Sequence, residues 1–400
     1  MSTLKVDAIR HNSATSDAIT TAADGTCTAK LTSIGGGGLS HRNKVINGGM
    51  IVSQRGSTFS LTNTGYALDR FQHRPSGSPT YECTITQDDD HPDGFSKSFK
   101  TTPNTTDTSL LTSDNAMIRY IFEGQDLQDL AYGTSSAKSI TLSFYAKSGS
   151  QNNNHQYSVQ FRKVATAGNN ARKIVTAAFT VTTSWQRYTF TFAGDTGQDI
   201  RNDNQMGLEL MWHLAAGPDD IHSAQSTWSS TTNAATAGSP KFTAVTGQSN
   251  FLDNTSNEFY LTGVQVEVGD TATSFEHRSI TDELARCQRY YYQIGPLQSD
   301  IFAQGRTDND DVNMYVLVHY PVTMRSAPAT LTTTGSAGNY DVRRDTTKGC
   351  SAVPTITAAS STHLAQINCQ SSSHGWGTAS PMQLQADGGG SAFLGFSAEL

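Results

Sequence analysis

Between Asn43 and Phe275, apolar side chains return at every second position in segment after segment. Ile140, Leu142, Phe144 and Ala146 alternate with Ser139, Thr141, Ser143, Tyr145 and Lys147. Successive side chains of an extended chain point to opposite faces, so this is the pattern of a half-buried strand. Tyr157, Val159 and Phe161 repeat it, as do Tyr188, Phe190 and Phe192 after Trp185, then Leu208, Leu210, Trp212 and Leu214, and finally Tyr260, Val264, Val266 and Val268. Polar stretches such as Gly149 to His155 and His222 to Ser239 separate these segments and suit loops at the ends of a two-sheet sandwich. An all-β chain with a central jelly-roll-like β-sandwich is expected.

The flanks add smaller elements. In residues 1–39, Leu4, Val6, Ala8 and Ile9 precede Ile19, and Asp24-Gly25 marks a tight turn, so an N-terminal β-arm is expected. So thin an arm cannot bury enough apolar surface alone; neighbouring copies or a docking protein would have to complete it, with Gly35 to Gly38 as a joint. Ile280, Leu284, Cys287 and Tyr291 recur at helical spacing behind Ser279, whose hydroxyl is placed to cap the amide of Asp282, and Gly295-Pro296 is a stop signal. The expected organisation is therefore an arm over 1–39, a sandwich over 40–278, one short connecting helix over 279–295 and a smaller C-terminal β-sandwich over 296–400. In the last, Met314, Val316 and Val318 alternate strongly, Val353 to Thr357 and His363 to Asn368 more weakly, and Ala392 to Leu400 forms the final strand.

Charge and composition narrow the function classes. The formal net charge of -7 speaks against an extended phosphate-binding surface, so nucleic acid is not an expected partner. No run approaches the roughly 20 apolar residues that span a bilayer, and Met1 to Ala8 lacks the features of a secretion signal, so a chain made in the cytoplasm without membrane insertion is expected. Cys27, Cys83, Cys287, Cys350 and Cys369 show no CxxC spacing and are expected as free thiols; whether Cys350 and Cys369 pair is left open.

No nucleophile elbow, HExxH, phosphate-binding loop or EF-hand loop occurs, and no cofactor is expected. Carboxylate pairs that converge only in space leave no local motif, so a polysaccharide-cleaving spike remains an alternative. Asp88, Asp89, Asp90 and Asp93 form the densest acidic cluster; Asp88, Asp90 and Asp93 are weak metal candidates beside the plainer reading of a solvated acidic loop, which also covers Asp308, Asp310 and Asp311. Sugar binding needs an aromatic face with hydrogen-bonding groups beside it. Trp228 with His222 in a Ser/Thr-rich loop, and Trp376 with His374 on a Gly-flanked turn, are the candidates; the alternative is that both rings plug the space under loops. Trp185 and Trp212 read as core, and His213 and His319 as ordinary strand histidines. Arg278, Arg286 and Arg289 with Glu276, Asp282 and Glu283 read as a solvated mixed-charge helix face, or as residues that cross a subunit interface in an oligomer.

Several phrases, in order, resemble fibre and tail-fibre-like proteins of tailed phages, especially those of marine cyanobacterial phages. They are MSTLKVDAIRHNSATSDAITTAADGT (Met1 to Thr26), NKVINGGMIVSQRG (Asn43 to Gly56) with Tyr66 to Phe71, TLSFYAKSG (Thr141 to Gly149), SWQRYTFTF (Ser184 to Phe192), FYLTGVQVEVGDTATSFEHRS (Phe259 to Ser279), ELARCQRYYYQ (Glu283 to Gln293) and YPVTMRSAPAT (Tyr320 to Thr330). Similar phrasing occurs in carbohydrate-binding β-sandwich modules. The resemblance implies a non-enzymatic virion protein, a homotrimeric tail fibre. Leu4, Val6, Ile9 and Ile19 of its arm would dock onto tail adaptor or nozzle proteins, and it would bind host-surface glycan; a head fibre or decoration shares the same features. The phrases are framework strands rather than loops, so they are silent on the ligand.

Overall fold

The strongest alternation produces the longest strands. The computed structural model describes residues 6–10, 12, 18–29, 40–77, 81–164, 172–230, 244–298, 300–388 and 392–400. The chain is all-β, as expected. Strands β1 (Ala8–Ile9), β2 (Ile19–Thr21) and β3 (Cys27–Ala29) form an antiparallel three-stranded sheet. The Asp24-Gly25 turn joins β2 to β3: Gly25 takes a φ of +85°, and Asp24 Oδ1 accepts from the Thr26 amide at 2.9 Å. Ile9 on β1 and Val6 just before it stay 54% and 42% exposed. Leu4 and Gly35 to Gly38 lie outside the described residues.

The sandwich comprises β4 (Thr58–Leu61), β5 (Gly65–Tyr66), β6 (Phe71–Ser76), β7 (Cys83–Asp88), β8 (Ser98–Pro103), β9 (Asn115–Glu123), β10 (Ile140–Ser148), β11 (Gln156–Val164), β12 (Arg172–Thr180), β13 (Gln186–Phe192) and β14 (Met206–Ala216), then the small parallel pair β15 (Ile221–His222) and β16 (Ala244–Val245), and β17 (Phe259–Val268). One six-stranded sheet runs β13-β10-β17-β8-β7-β4, the other β12-β11-β14-β9-β6-β5. From β8 to β17 the chain passes back and forth between the sheets, and the first strand of that run pairs with the last, which is jelly-roll topology. Phe71, Phe144, Phe161, Leu210, Trp212 and Phe259 meet in the shared core, with Phe144 edge-on to Trp212 at 5.7 Å.

Two histidines are buried in this unit. His73 lies edge-on to Tyr81, and His213 Nε2 faces Gln160 Oε1 at 3.2 Å, while His319 ends a strand at the surface. Burial pushes His73 down to about 4 and His213, with Arg162 nearby, down to about 3. The unfolded chain takes up protons near the ordinary value of about 6.5, so the stability from these neutral rings is complete above that pH and is lost as pH falls toward 4 and then 3. At pH 4.5 the loss should be about 2–3 kcal/mol per histidine relative to pH 7. Melting curves check this, and His213→Gln should flatten the acid limb; a stability unchanged between pH 7 and 4.5 would contradict it.

Helix α1 (Ile280–Gln288) begins where expected, with Ser279 Oγ accepting from the Asp282 amide at 3.2 Å. It is shorter than the expected 279–295. Tyr291, expected on the helix, opens strand β18 (Tyr291–Leu297), because three successive tyrosines favour a pleated surface and find a partner strand there. The helix-face expectation is also corrected. Arg278 is half-buried, donates to Val45 O and Asn43 O and pairs with Glu276 and Glu283, while Arg289 makes a two-pronged contact with Glu123 at 2.8 Å; only Arg286 with Asp282 is an exposed i,i+4 pair among these. Arg278 with Glu283 and Arg289 with Glu123 staple the helix onto the sandwich, and the Arg286–Asp282 pair alone among these faces water.

Beyond β18 follow β19 (Ile301–Thr307), β20 (Asn313–His319), β21 (Leu331–Thr333), β22 (Tyr340–Arg343), β23 (Thr347–Gly349), β24 (Ala352–Ile356), β25 (Leu364–Gln370), β26 (Pro381–Ala386) and β27 (Ala392–Ser397). A sheet β18-β27-β21 packs on a seven-stranded sheet β23-β22-β26-β19-β20-β25-β24 over Met314, Val316, Ile367, Leu384 and Phe396. Cys350 and Cys369 lie buried in this second core as free thiols, and burial pushes Cys350 up to about 12; Cys83 and Cys287 are likewise free and buried. Among the described residues no helix is long and apolar enough to cross a membrane.

Candidate functional site

The outer face of the first sheet carries the most chemistry. Pairing sets its layout: Lys147 on β10 stands opposite Tyr260 on β17, which stands opposite Lys100 on β8, so one cross-strand row reads Lys147, Tyr260, Lys100. The two ammonium groups lie 4.5 and 5.1 Å from the centre of the Tyr260 ring. Trp185, half-buried, meets Tyr260 edge-on at 6.1 Å and donates its indole N–H to Asp90 Oδ1 at 2.9 Å. Asp90 also pairs with Lys147, Asp89 with Lys97, and Lys100 with Glu258 at 2.7 Å. Burial opposes the charge on Asp90, yet its hydrogen bonds from Lys147 and Trp185 hold its carboxyl below the usual range. Burial likewise opposes the charge on Lys100, but Glu258 and Tyr260 raise its pKa.

Two residues along β10, Tyr145 continues the face. Its ring lies 5.4 Å from Phe95, which is 5.0 Å from Phe275 and 5.3 Å from His277. Phe95, Phe275 and His277 border a hollow of about 180 Å³ that also touches Arg278 and Glu283. The face is thus a run of rings with carboxylate acceptors and ammonium donors at one end and a small ring-lined hollow at the other. Tyr260 itself is buried beneath the two ammonium groups, which leaves half-buried Trp185 and Tyr145 as rings that can stack on the C–H faces of a sugar while the charged groups hydrogen-bond its hydroxyls.

Strict alternation misplaces two of these rings. Tyr260 shares parity with Val264, Val266 and Val268, which all point into the core, yet it points outward. A β-bulge intervenes: pairing shifts between Ser143 and Tyr145 against β17, and Gly263 takes a φ of +61°. A Cβ at Gly263 would stand 2.7 Å from Phe95 and 2.8 Å from Tyr145, so the bare glycine also lets those rings lie against the strand. Glycine inside a strand pattern is the sequence signal for such a bulge. Gly263→Val should therefore cost about 1–3 kcal/mol from backbone strain and displace both rings. Chemical denaturation measures it; a stability within 0.5 kcal/mol of the parent protein would argue against this role for Gly263. Trp185, expected in the core, is corrected as well, since it has the parity of the outward Arg187 and not of Tyr188 and Phe190. Trp212 is fully buried, as expected.

The other candidates lie elsewhere. Trp228 is half-buried, packs edge-on to Tyr132 at 5.5 Å and donates its indole N–H to Ala193 O, so it closes the edge of the core. Tyr132 and Asp199 border a cleft of about 560 Å³ nearby. His222 contacts Asp219 O through Nε2. His374 is fully buried: its Nδ1 accepts from the Trp376 amide at 3.0 Å and lies 3.3 Å from Asp311 Oδ1, and its Nε2 donates to Asp310 O at 3.1 Å. Trp376 stacks on that ring and packs toward the second core. Asp310 accepts from the Val312 and Asn313 amides and Asp311 from the Gly375 amide, so both build turns. Asp88 stands 4.0 Å from Lys100, and Asp93 is exposed on the same loop as Asp90. Among the described residues no group of three or more His, Cys, Asp or Glu side chains is arranged to hold a metal.

No family model matches the sequence, and no curated protein matches it. Solved structures with some likeness include the enzymatically active domain of tailspike protein 4 of bacteriophage CBA120, at 13% identity and a TM-score of 0.30, covering 60% of this chain and 23% of that one. A sugar-binding protein from Bacteroides thetaiotaomicron, itself assigned only provisionally, matches at 11% identity and a TM-score of 0.31, covering 57% of this chain and all of that one. A CBM4 structure matches at 14% identity and a TM-score of 0.25, covering 56% and 97%. This chain spans less than a quarter of the tailspike's length, and likenesses this low carry no argument about its role.

Proposed function

We propose that this chain is a non-enzymatic fibre protein of a tailed-phage virion that binds host-surface glycan on the outer face of its first sheet. The observation that carries the binding role is Trp185, held half-open by Asp90 and Tyr260 between ammonium and carboxylate groups, at the end of a run of rings. Aromatic stacking with polar groups at the ring edge recognises sugars without needing any bond to break. The virion assignment draws on the ordered framework phrases. The arm supports it: Val6 and Ile9, exposed at and just before the first strand of a three-stranded sheet, favour completion by two further copies and a tail protein. In a trimer, weak contacts repeated three times gain avidity.

Three measurements test this reading on the intact protein. Light scattering after size exclusion should give a trimer, and a monomer would remove the fibre reading. Envelope polysaccharide from susceptible cells should be retained by the protein, and failure to retain it would remove the binding role. Incubation with that polysaccharide should release no reducing sugar; release would establish the depolymerase alternative.

A further inference from the structure

The outer face of the second sheet carries a different chemistry. Strand pairing places Arg162 on β11 opposite Glu209 on β14, and Arg119 on β9 opposite Gln72 on β6. Arg74 lies two residues beyond Gln72, and Arg172 two residues before Ile174, the partner of Arg162 on β12. Five neighbouring strands thus bring four guanidinium groups and one carboxylate to one face.

Glu209, fully buried, pairs with both Arg162 and Arg119. Burial opposes its charge, but those two arginines hold its carboxyl below the usual range. Arg162 and Arg119 are 4% and 8% exposed and form the floor, while Arg74 and Arg172 are half-buried at the rim. Arg119 spends one amino group on Gln72 Oε1 at 3.1 Å, and its buried Nε has no acceptor among the described residues. Burial and then repulsion from Arg119 push Arg74 down to about 10, with Arg162 and Arg172 adding to the repulsion against the pull of Glu209.

Concentrating like charge in a partly desolvated place is unfavourable unless an anion joins it, and planar guanidinium forks match carboxylate, sulfate and phosphate oxygens in pairs. We propose that Arg74, Arg119, Arg162 and Arg172 bind an oxyanion substituent, a uronate carboxylate, sulfate ester or phosphate, of the glycan that this protein recognises. The proposal rests on the glycan-binding reading and adds the charge class of the ligand. A compact cluster with a carboxylate at its centre, on a chain with net charge -7, favours a single oxyanion over the repeated phosphates of nucleic acid.

The test is calorimetric titration of the intact protein with trigalacturonate, a sulfated hexasaccharide, mannose 6-phosphate, a neutral gluco-oligosaccharide and single-stranded DNA. The comparison protein is Arg74→Gln/Arg172→Gln, which changes only the rim and leaves the Arg119–Glu209–Arg162 floor intact. At least one anionic sugar should bind the parent protein, lose tenfold or more in affinity in the double variant, and weaken as NaCl rises from about 50 to 200 mM. Which of the three binds identifies the source of the oxyanion. The proposal is overturned if no anionic sugar binds the parent protein at millimolar concentration, if the double variant binds as well, or if DNA binds more tightly than every sugar through the same arginines. Retention of envelope polysaccharide that depends on Trp185 but not on these arginines would overturn this site and leave the glycan reading standing; no retention by the parent protein would overturn the reading itself.

Discussion

Glu399→Ala should destabilise the protein by about 3–5 kcal/mol, because it strands a charge that has nowhere else to go. Arg70 is 1% exposed, sits over the Tyr290 ring at 3.5 Å and donates to Ile121 O and Glu399. Although burial works against its charge, Glu399 raises its pKa well above the ordinary value. Arg55 reaches the other Glu399 oxygen at 3.3 Å and lies over Tyr291 at 3.5 Å. Around them Tyr66 Oη donates to Leu400 O, and Arg325 donates to Ala398 O, Glu399 O and Asn204 O. The sandwich and the C-terminal unit are therefore joined through one largely buried polar cluster. Equilibrium denaturation would measure the loss, and limited proteolysis should report new cleavage between the sandwich and the C-terminal unit. Pairing Glu399→Leu with Arg70→Met should recover part of the stability, since an apolar pair needs no desolvation. A Glu399→Ala protein as stable and as protease-resistant as its parent would show that the cluster does not hold the units together.

The second large effect concerns binding and not folding. Trp185→Ala removes the half-open ring, which sits on the outer face and adds nothing to the sandwich core, so the melting temperature should stay within a few degrees. Affinity for envelope polysaccharide should fall by about 2 kcal/mol per site, roughly 30-fold, the scale of an aromatic hot spot. In a trimer the loss is compounded at each site, so retention on immobilised polysaccharide should vanish before binding in solution does. Trp376→Ala is the control: its ring stacks on buried His374 and packs toward the second core, so the change should lower stability and leave affinity alone. Equal affinity of Trp185→Ala and the parent protein would exclude the first sheet's outer face as the site.

Much of this architecture was legible from residue order. The alternation from Asn43 to Phe275 specified strands, their inward faces and the all-β class, because the two-residue period of an extended chain is a local property. The Asp24-Gly25 turn and the Ser279 cap were readable for the same reason, each depending on residues within four positions. The end of α1 was not: helical spacing carried Tyr291 forward, whereas pairing of Tyr291 with Ser397 decided for a strand.

The candidate sites depended more heavily on tertiary structure. Tyr260 was assigned inward by its period, and the bulge at Gly263 turned it out, where strand pairing set it between Lys147 and Lys100. Trp185 looked like core among aromatic neighbours, but strand parity left it outside against Asp90, 95 positions away in sequence. The arginine face draws on residues from 74 to 172 around Glu209, and no local window contains that cluster. By itself, then, the sequence determined which side chains seek a core and with what period, because that depends on neighbours along the chain. Only the tertiary structure decided which polar and aromatic groups share a surface, because register, bulges and sheet order are settled by pairing between strands far apart in the chain.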